Sequence, residues 1–119
     1  GKAPTLFEGS DQILRDFINI EDVVQANIKA CSPKENGTYN VGTSNPRSFQ
    51  DIADILQTEL GTDLGTNYIP NPYDGYQMHT QADIGTSQTN LGFEPVISLE
   101  DGIKAYISDI KRLHGTDIS

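Results

Sequence analysis

At 119 residues, 35% of them apolar, the chain has the length of one small domain and the material for one modest core. Seventeen acidic residues against eight basic give a formal net charge of -9, which repels nucleic acid phosphates and anionic membrane surfaces and sets both aside as partners. The low apolar share, with 11 Gly and 6 Pro, predicts many turns and some apolar surface that packs on another domain. An anionic small molecule remains admissible, because one arginine and a few backbone N–H groups act at contact distance, where the local field outweighs the screened net charge. Cys31 stands alone, so no intrachain disulfide forms and a reducing compartment is expected. The sequence has neither a transmembrane run nor a secretory apolar segment, so the cytoplasm is the default, and Asn36-Gly37-Thr38 reads as a chance sequon.

In chain order, the first strand candidate covers 16–20. A helix follows Asn19, with Glu21 and Asp22 in its first turn and Val24, Ile28 and Cys31 at i, i+4 and i+7 as its apolar stripe. It must stop by Ser32-Pro33, and Cys31 reads as a packing residue. A second strand candidate covers 38–41. The next helix starts at Ser48 with Asp51 in a capping-box position, repeats Phe49, Ile52, Ala53, Leu56 and Leu60 on one face, and ends at Gly61. A third strand candidate covers 67–69. Pro70, Pro72 and Asp74-Gly75 then mark a turn or exposed loop ahead of 76–83, and 83–91 offers a short helical turn before Gly92. The last helix opens with Ser98 and Asp101, buries Leu99, Ile103, Tyr106, Ile107 and Ile110, and ends among Lys111, Arg112 and His114. The expected fold class is mixed α/β with about three helices and several short strands, one domain over 1–115 and a disordered tail at 116–119.

Several motifs follow one another in a telling order: Leu6-Phe7-Glu8-Gly9-Ser10, Arg15-Asp16-Phe17-Ile18 with Asp22-Val23, Tyr39-Asn40-Val41-Gly42-Thr43, Ser48-Phe49-Gln50, Tyr68-Ile69-Pro70, Tyr76-Gln77 with Thr80-Gln81-Ala82-Asp83, and Leu91-Gly92-Phe93. That order resembles the C-terminal, substrate-binding part of extended short-chain dehydrogenase/reductases that act on sugar nucleotides. The narrower likeness is to the ADP-glyceromanno-heptose 6-epimerases of lipopolysaccharide core synthesis, carried by 6–10 and by the run from Tyr76 to Asp83. It implies a small substrate-binding lobe whose Rossmann domain lies outside this sequence, together with NADP or NAD held by that domain, an ADP-sugar substrate and a possible homo-oligomer.

The resemblance also implies that Phe7, Glu8, Gly9, Ser10, Arg15 and Tyr76 bind substrate. Arg15 would present a planar fork of donors to a diphosphate. Phe7 would offer a ring to a nucleobase, Gly9 a close backbone approach, Ser10 a hydroxyl and Tyr76 a phenolic O–H. From the residues alone, Arg15-Asp16 is more often a surface ion pair than a ligand contact, Phe7 is equally a core residue, Gly9-Ser10 reads also as a simple turn and Tyr76 as an ordinary loop tyrosine. One departure is visible: the family's loop ahead of the tyrosine is longer and carries a basic residue, whereas Tyr73-Asp74-Gly75 here leads straight into Tyr76.

No catalytic, cofactor or metal residue is expected in this stretch. Neither a glycine-rich dinucleotide turn nor a Tyr-x-x-x-Lys pair occurs: Tyr106 is followed four residues on by Ile110 and Tyr39 by Thr43. His79 and His114 lack a nucleophile pattern, and no metal-ligand spacing is present. The expectation is a recognition lobe, inert by itself, belonging to an NADP-dependent isomerase. A free-standing nucleotide-binding module, a subunit-contact module and the lobe of another sugar-nucleotide epimerase or dehydratase remain as alternatives.

Overall fold

The elements in chain order are β1 (Thr5–Phe7), β2 (Leu14–Arg15), α1 (Ile20–Lys29), β3 (Arg47–Ser48), α2 (Phe49–Leu60), β4 (Asn67–Ile69), α3 (Gly85–Leu91) and α4 (Leu99–His114). They come from a computed structural model that describes residues 2–32 and 36–114. The tail expected at 116–119 lies outside the described residues. The short turn anticipated before Gly92 is a seven-residue helix, closed by Gly92 at φ 69°, so the chain has four helices among the described residues rather than three.

Helix boundaries follow local capping chemistry. Ser48 accepts the Asp51 N–H and Asp51 in turn accepts the Ser48 N–H, a complete capping box, and α2 stops at Gly61 in the left-handed region at φ 71°. Asn19 caps α1 by accepting the Glu21 N–H at 2.9 Å, and the Ser98 hydroxyl accepts the Asp101 N–H at 3.0 Å at the head of α4.

Pairing is sparse and non-local. β4 forms where expected and runs parallel to β1, with Thr5 opposite Asn67 and Phe7 opposite Ile69. β2 runs antiparallel to β3, placing Leu14 opposite Ser48 and Arg15 opposite Arg47. The strands expected at 16–20 and 38–41 do not form among the described residues. In the first, pairing ends at Arg15 and Asp16 turns its carboxylate into neighbouring loops. In the second, side chains replace a ladder: the Asn40 carbonyl accepts the Ser87 hydroxyl, and Asn40 Nδ2 donates to the Asp83 carbonyl at 3.3 Å.

Helix α1 departs most from the pattern read in its sequence. Val24 and Ile28 are 48% and 68% exposed, and Cys31 is exposed as well, so the stripe is not packed in this chain. The helix docks by its opposite, polar face. Asp22, 1% exposed, accepts the N–H groups of Val96 and Ile97, Gln25 exchanges hydrogen bonds with the Glu94 backbone, and Lys29 Nζ donates to the Gly92 carbonyl at 2.7 Å. Beside those bonds, Ala26 packs with Ile84 and the fully buried Phe93, with Ile18, Val41, Ala82 and Leu91 around them.

On the other side α2 packs against α4, burying Ala53 and Ile107. Tyr106, one residue earlier, points away and is 53% exposed, correcting the expectation that it is buried. The molecule is a plate of 49 × 37 × 17 Å with a radius of gyration of 17.0 Å, against about 13.5 Å for a compact domain of this length. A plate this thin has little interior, which is why so few apolar side chains are fully buried.

Candidate functional site

Three of the six residues singled out in the sequence meet at one place. Phe7 closes β1, Arg15 closes β2, and Tyr76 comes from the loop after β4. That loop is laced along β2: the Leu14 N–H donates to the Met78 carbonyl at 2.7 Å, and the Thr80 N–H donates to the Leu14 carbonyl at 3.1 Å. Tyr76 is thereby carried over Arg15, whose Cζ lies 5.3 Å from the Tyr76 ring centroid. The guanidinium also sits 5.6 Å from the ring of Phe49, which α2 presents directly after the Ser48 cap.

The rings form one cluster. Phe7 meets Tyr76 edge to face at 5.7 Å and Tyr73 at 6.0 Å, and Phe17 meets Phe49 at 5.7 Å. Tyr73 and Tyr76 lie nearly parallel, 6.3 Å apart at 22°. Each cation–ring contact contributes about 0.5–2 kcal/mol, and together they hold the fork of Arg15 donors in one plane. Arg15 Nη1 also donates to the Leu14 carbonyl at 2.9 Å, leaving further N–H groups for a ligand.

The charge environment separates Arg15 from the other arginines. Arg47, its partner across the β2–β3 pair, is bound by Asp51 at 3.3 Å and by Glu100, and Arg112 is bound by Asp109 at 3.3 Å. The bond to Glu100 holds the Arg47 pKa above its usual value and Glu100 below its own. Among the described residues no carboxylate forms an ion pair with Arg15. In a chain of net charge -9, Arg15 is flanked by rings, and the Asp74 side chain borders the same hollow without forming an ion pair with it.

Asp16 explains how that separation is achieved. Its Oδ1 accepts the N–H and hydroxyl of Thr43, and its Oδ2 accepts the N–H groups of Ser44 and Ala82 at 2.9 and 3.0 Å. Burial disfavours the carboxylate, but these four bonds outweigh it and hold the Asp16 pKa below its ordinary range. Arg15 and Asp16 are therefore not an ion pair: the arginine faces the rings and the aspartate ties loops together.

Of the remaining expected residues, Ser10 borders the cleft beside Phe7 and Tyr76, and Glu8 and Gly9 lie outside its lining. Ser10 is buried and its hydroxyl donates to the Phe7 carbonyl, inside a turn that Gly9 permits with φ at +80°. Glu8 extends the β1–β4 ladder by donating its N–H to the Ile69 carbonyl at 2.8 Å, and its side chain is exposed. One cleft lies between Phe7, Ser10, Phe49, Ile69 and Tyr76, and a separate open hollow is bounded by Arg15, Tyr73, Asp74, Gly75, Tyr76 and Gln77. Phe49 and Tyr73 were not singled out as site residues. Phe49 was hidden as an apolar position of its helix, and Tyr73 as a loop tyrosine beside Asp74-Gly75.

A second cleft of about 330 Å³ lies between the heads of α1 and α4, lined by Phe17, Ile18, Ile20, Leu99, Ile103 and Tyr106. It holds no cationic side chain and does not suit an anion. Among the described residues, no group of three or more His, Cys, Asp or Glu side chains is placed to hold a metal ion, and no helix is long and apolar enough to cross a membrane.

No family model matches the chain. Over 97% of its length it is 35% identical to the ADP-L-glycero-D-manno-heptose-6-epimerase of Brachyspira hyodysenteriae, of which it covers 37%. The crystal structure of the ADP-L-glycero-D-manno-heptose-6-epimerase of Helicobacter pylori matches 91% of this chain with a TM-score of 0.80 at 44% identity, over 33% of that protein. The UDP-glucuronic acid 4-epimerase of Bacillus cereus, solved with UDP-glucuronic acid and NAD, matches 92% of this chain with a TM-score of 0.79 at 32% identity, over 36% of that protein. The chain thus spans about a third of the length of these relatives.

Proposed function

We propose, from a chain that corresponds in sequence and fold to the C-terminal part of the extended short-chain dehydrogenase/reductase epimerases, that it is a sugar-nucleotide recognition lobe whose Arg15 binds the diphosphate. One observation carries this reading: Arg15 lies against the rings of Phe49 and Tyr76 and borders an open hollow, with no carboxylate ion-paired to it among the described residues. A guanidinium so placed offers two parallel N–H groups to phosphate oxygens, and its orientation is set before the ligand arrives. Phe7 packs against Tyr76, and Gly9 and Ser10 form the turn that follows β1, with Glu8 exposed beside it.

The parent activity we propose is 6-epimerisation of an ADP-heptose in lipopolysaccharide precursor synthesis, in the cytoplasm and with NADP. Likeness to the two heptose epimerases supports this, as does the Tyr76 to Asp83 run. Within such an enzyme this lobe would fix the nucleotide so that the sugar reaches the reacting centre, and orientation of that kind lowers a barrier by several kcal/mol. Three of the four helices among the described residues offer a dinucleotide no phosphate cradle. Asn19, Ser48 and Ser98 cap the heads of α1, α2 and α4 with their own oxygens, so these helices offer no open glycine-rich cradle. Cofactor chemistry is assigned to a partner domain.

The α1 stripe favours a contact role alongside binding. Ile20, Val24 and Ile28 are exposed at 70%, 48% and 68% on a helix docked by its polar side. We assign this face, and the thinness of the plate, to packing against that Rossmann-type domain.

Titration of the 119-residue chain with ADP, followed by NMR amide shifts, tests the binding reading. Saturable binding is expected, weakened about tenfold or more in Arg15→Ala, as the loss of charge-assisted hydrogen bonds implies. Equal affinity of the variant and the parent chain refutes the role of Arg15.

A further inference from the structure

Resting on the sugar-nucleotide reading, we propose that Tyr73, rather than Phe7, is the platform on which the ligand's base stacks. The ring contacts decide between the candidates. Tyr76 has the Arg15 guanidinium at 5.3 Å and the Phe7 ring at 5.7 Å and 87°. Phe49 has Arg15 at 5.6 Å and Phe17 at 5.7 Å. Phe7 stands behind both tyrosines, in edge-to-face contact with each, and is only partly exposed. Tyr73 is 64% exposed and has no cation over its ring among the described residues.

Tyr73 is also held in place, which a stacking platform requires if it is to bind without a large ordering cost. Its N–H donates to Asn71 Oδ1 at 2.9 Å, the Phe7 ring buttresses it at 6.0 Å, and Tyr76 lies nearly parallel to it at 6.3 Å. It borders the same hollow as Arg15. Two short steps, 5.3 Å from Arg15 to Tyr76 and 6.3 Å from Tyr76 to Tyr73, keep the guanidinium and the free ring within reach of one nucleoside diphosphate, its ribose bridging the two.

The chemistry fits a base rather than a second phosphate. The loop carries Asp74 beside Tyr73, so this edge offers a π-face and a carboxylate. Stacking is tolerant of base identity, so Tyr73 sets affinity for a nucleotide over a bare diphosphate, not for adenine over uracil.

The test compares ADP with inorganic pyrophosphate by calorimetric titration of the 119-residue chain and of Tyr73→Ala, Tyr73→Phe and Arg15→Ala. Tyr73→Ala is expected to weaken ADP about tenfold while leaving pyrophosphate within about twofold, and Tyr73→Phe is expected to keep the parent affinity for both. Arg15→Ala is expected to weaken both probes. If Tyr73→Ala leaves ADP unchanged, or weakens pyrophosphate as much as ADP, the stacking role is overturned while the diphosphate site at Arg15 stands. If the parent chain binds neither probe, the recognition reading and this inference fall together.

Discussion

Replacing Asp16 by asparagine changes one oxygen to an amide nitrogen without changing shape, and the hydrogen-bond geometry sets the outcome. Each carboxylate oxygen serves two donors: Oδ1 takes the Thr43 N–H and hydroxyl, and Oδ2 takes the N–H groups of Ser44 and Ala82. An asparagine keeps one of these two sets. Turned one way, its NH₂ faces the Ser44 and Ala82 N–H groups; turned the other, it faces the Thr43 N–H and only the hydroxyl can rotate to accept. The loss is one or two bonds to a charged acceptor, each about 1.5–3 kcal/mol, plus donor–donor repulsion, reduced because the residue is only partly buried. A net destabilisation of about 2–4 kcal/mol follows, which lowers Tm by roughly 10 °C in a domain of this size. Thermal unfolding followed by circular dichroism measures it, and amide hydrogen exchange at Ser44 and Ala82 locates it. A Tm within about 2 °C of the parent, with unchanged exchange at those two amides, would refute the view that Asp16 ties the loops around Arg15.

Gly42→Ala is expected to destabilise the same junction, because a Cβ there would stand 2.7 Å from both the Ala82 Cβ and Asp16 Oδ2. A cost of about 1–3 kcal/mol is expected from overpacking, whereas Gly37→Ala, with nothing within 4 Å of its Cβ position, serves as the neutral control in the same melt. Acid should unfold the protein in a defined direction. Asp16 and Asp51 are held below their ordinary 3.8 and Glu100 below its ordinary 4.5. Groups with lowered folded pKa values contribute fully above the unfolded values and lose that contribution as pH falls through the folded ones. Urea midpoints should therefore hold steady down to about pH 5 and fall below about pH 4; a flat profile to pH 3 would count against these bonds.

Local signals in the sequence located the helices well and the contacts poorly. The Ser48 and Asp51 box and Gly61 bound α2 residue for residue, because capping is settled within one turn of chain. Periodicity correctly found an apolar stripe on α1 and wrongly packed it: the pattern tells which face avoids water, not what covers it, and Asp22 with Gln25 took the inner side instead. Strand pairing depends on partners far along the chain, which is why 67–69 proved paired and 16–20 did not. At the site, the motif order placed Phe7, Arg15 and Tyr76 together. The ring of Phe49 over Arg15 was legible only once β3 lay beside β2, and that of Tyr73 only once the loop folded back on Phe7.

The parallel pairing of β1 with β4 bears on the order in which the molecule comes into being. Joining Thr5 to Asn67 closes a long loop, and closure of that kind costs chain entropy before any contact compensates for it. Helices with their own caps form from neighbours in the chain, so α1, α2 and α4 have no need to wait for that closure. Phe7 reaches Tyr73 and Tyr76 only from the end of β1. The aromatic cluster is therefore among the last parts to assemble, after the helices whose caps lie within their own stretch of chain.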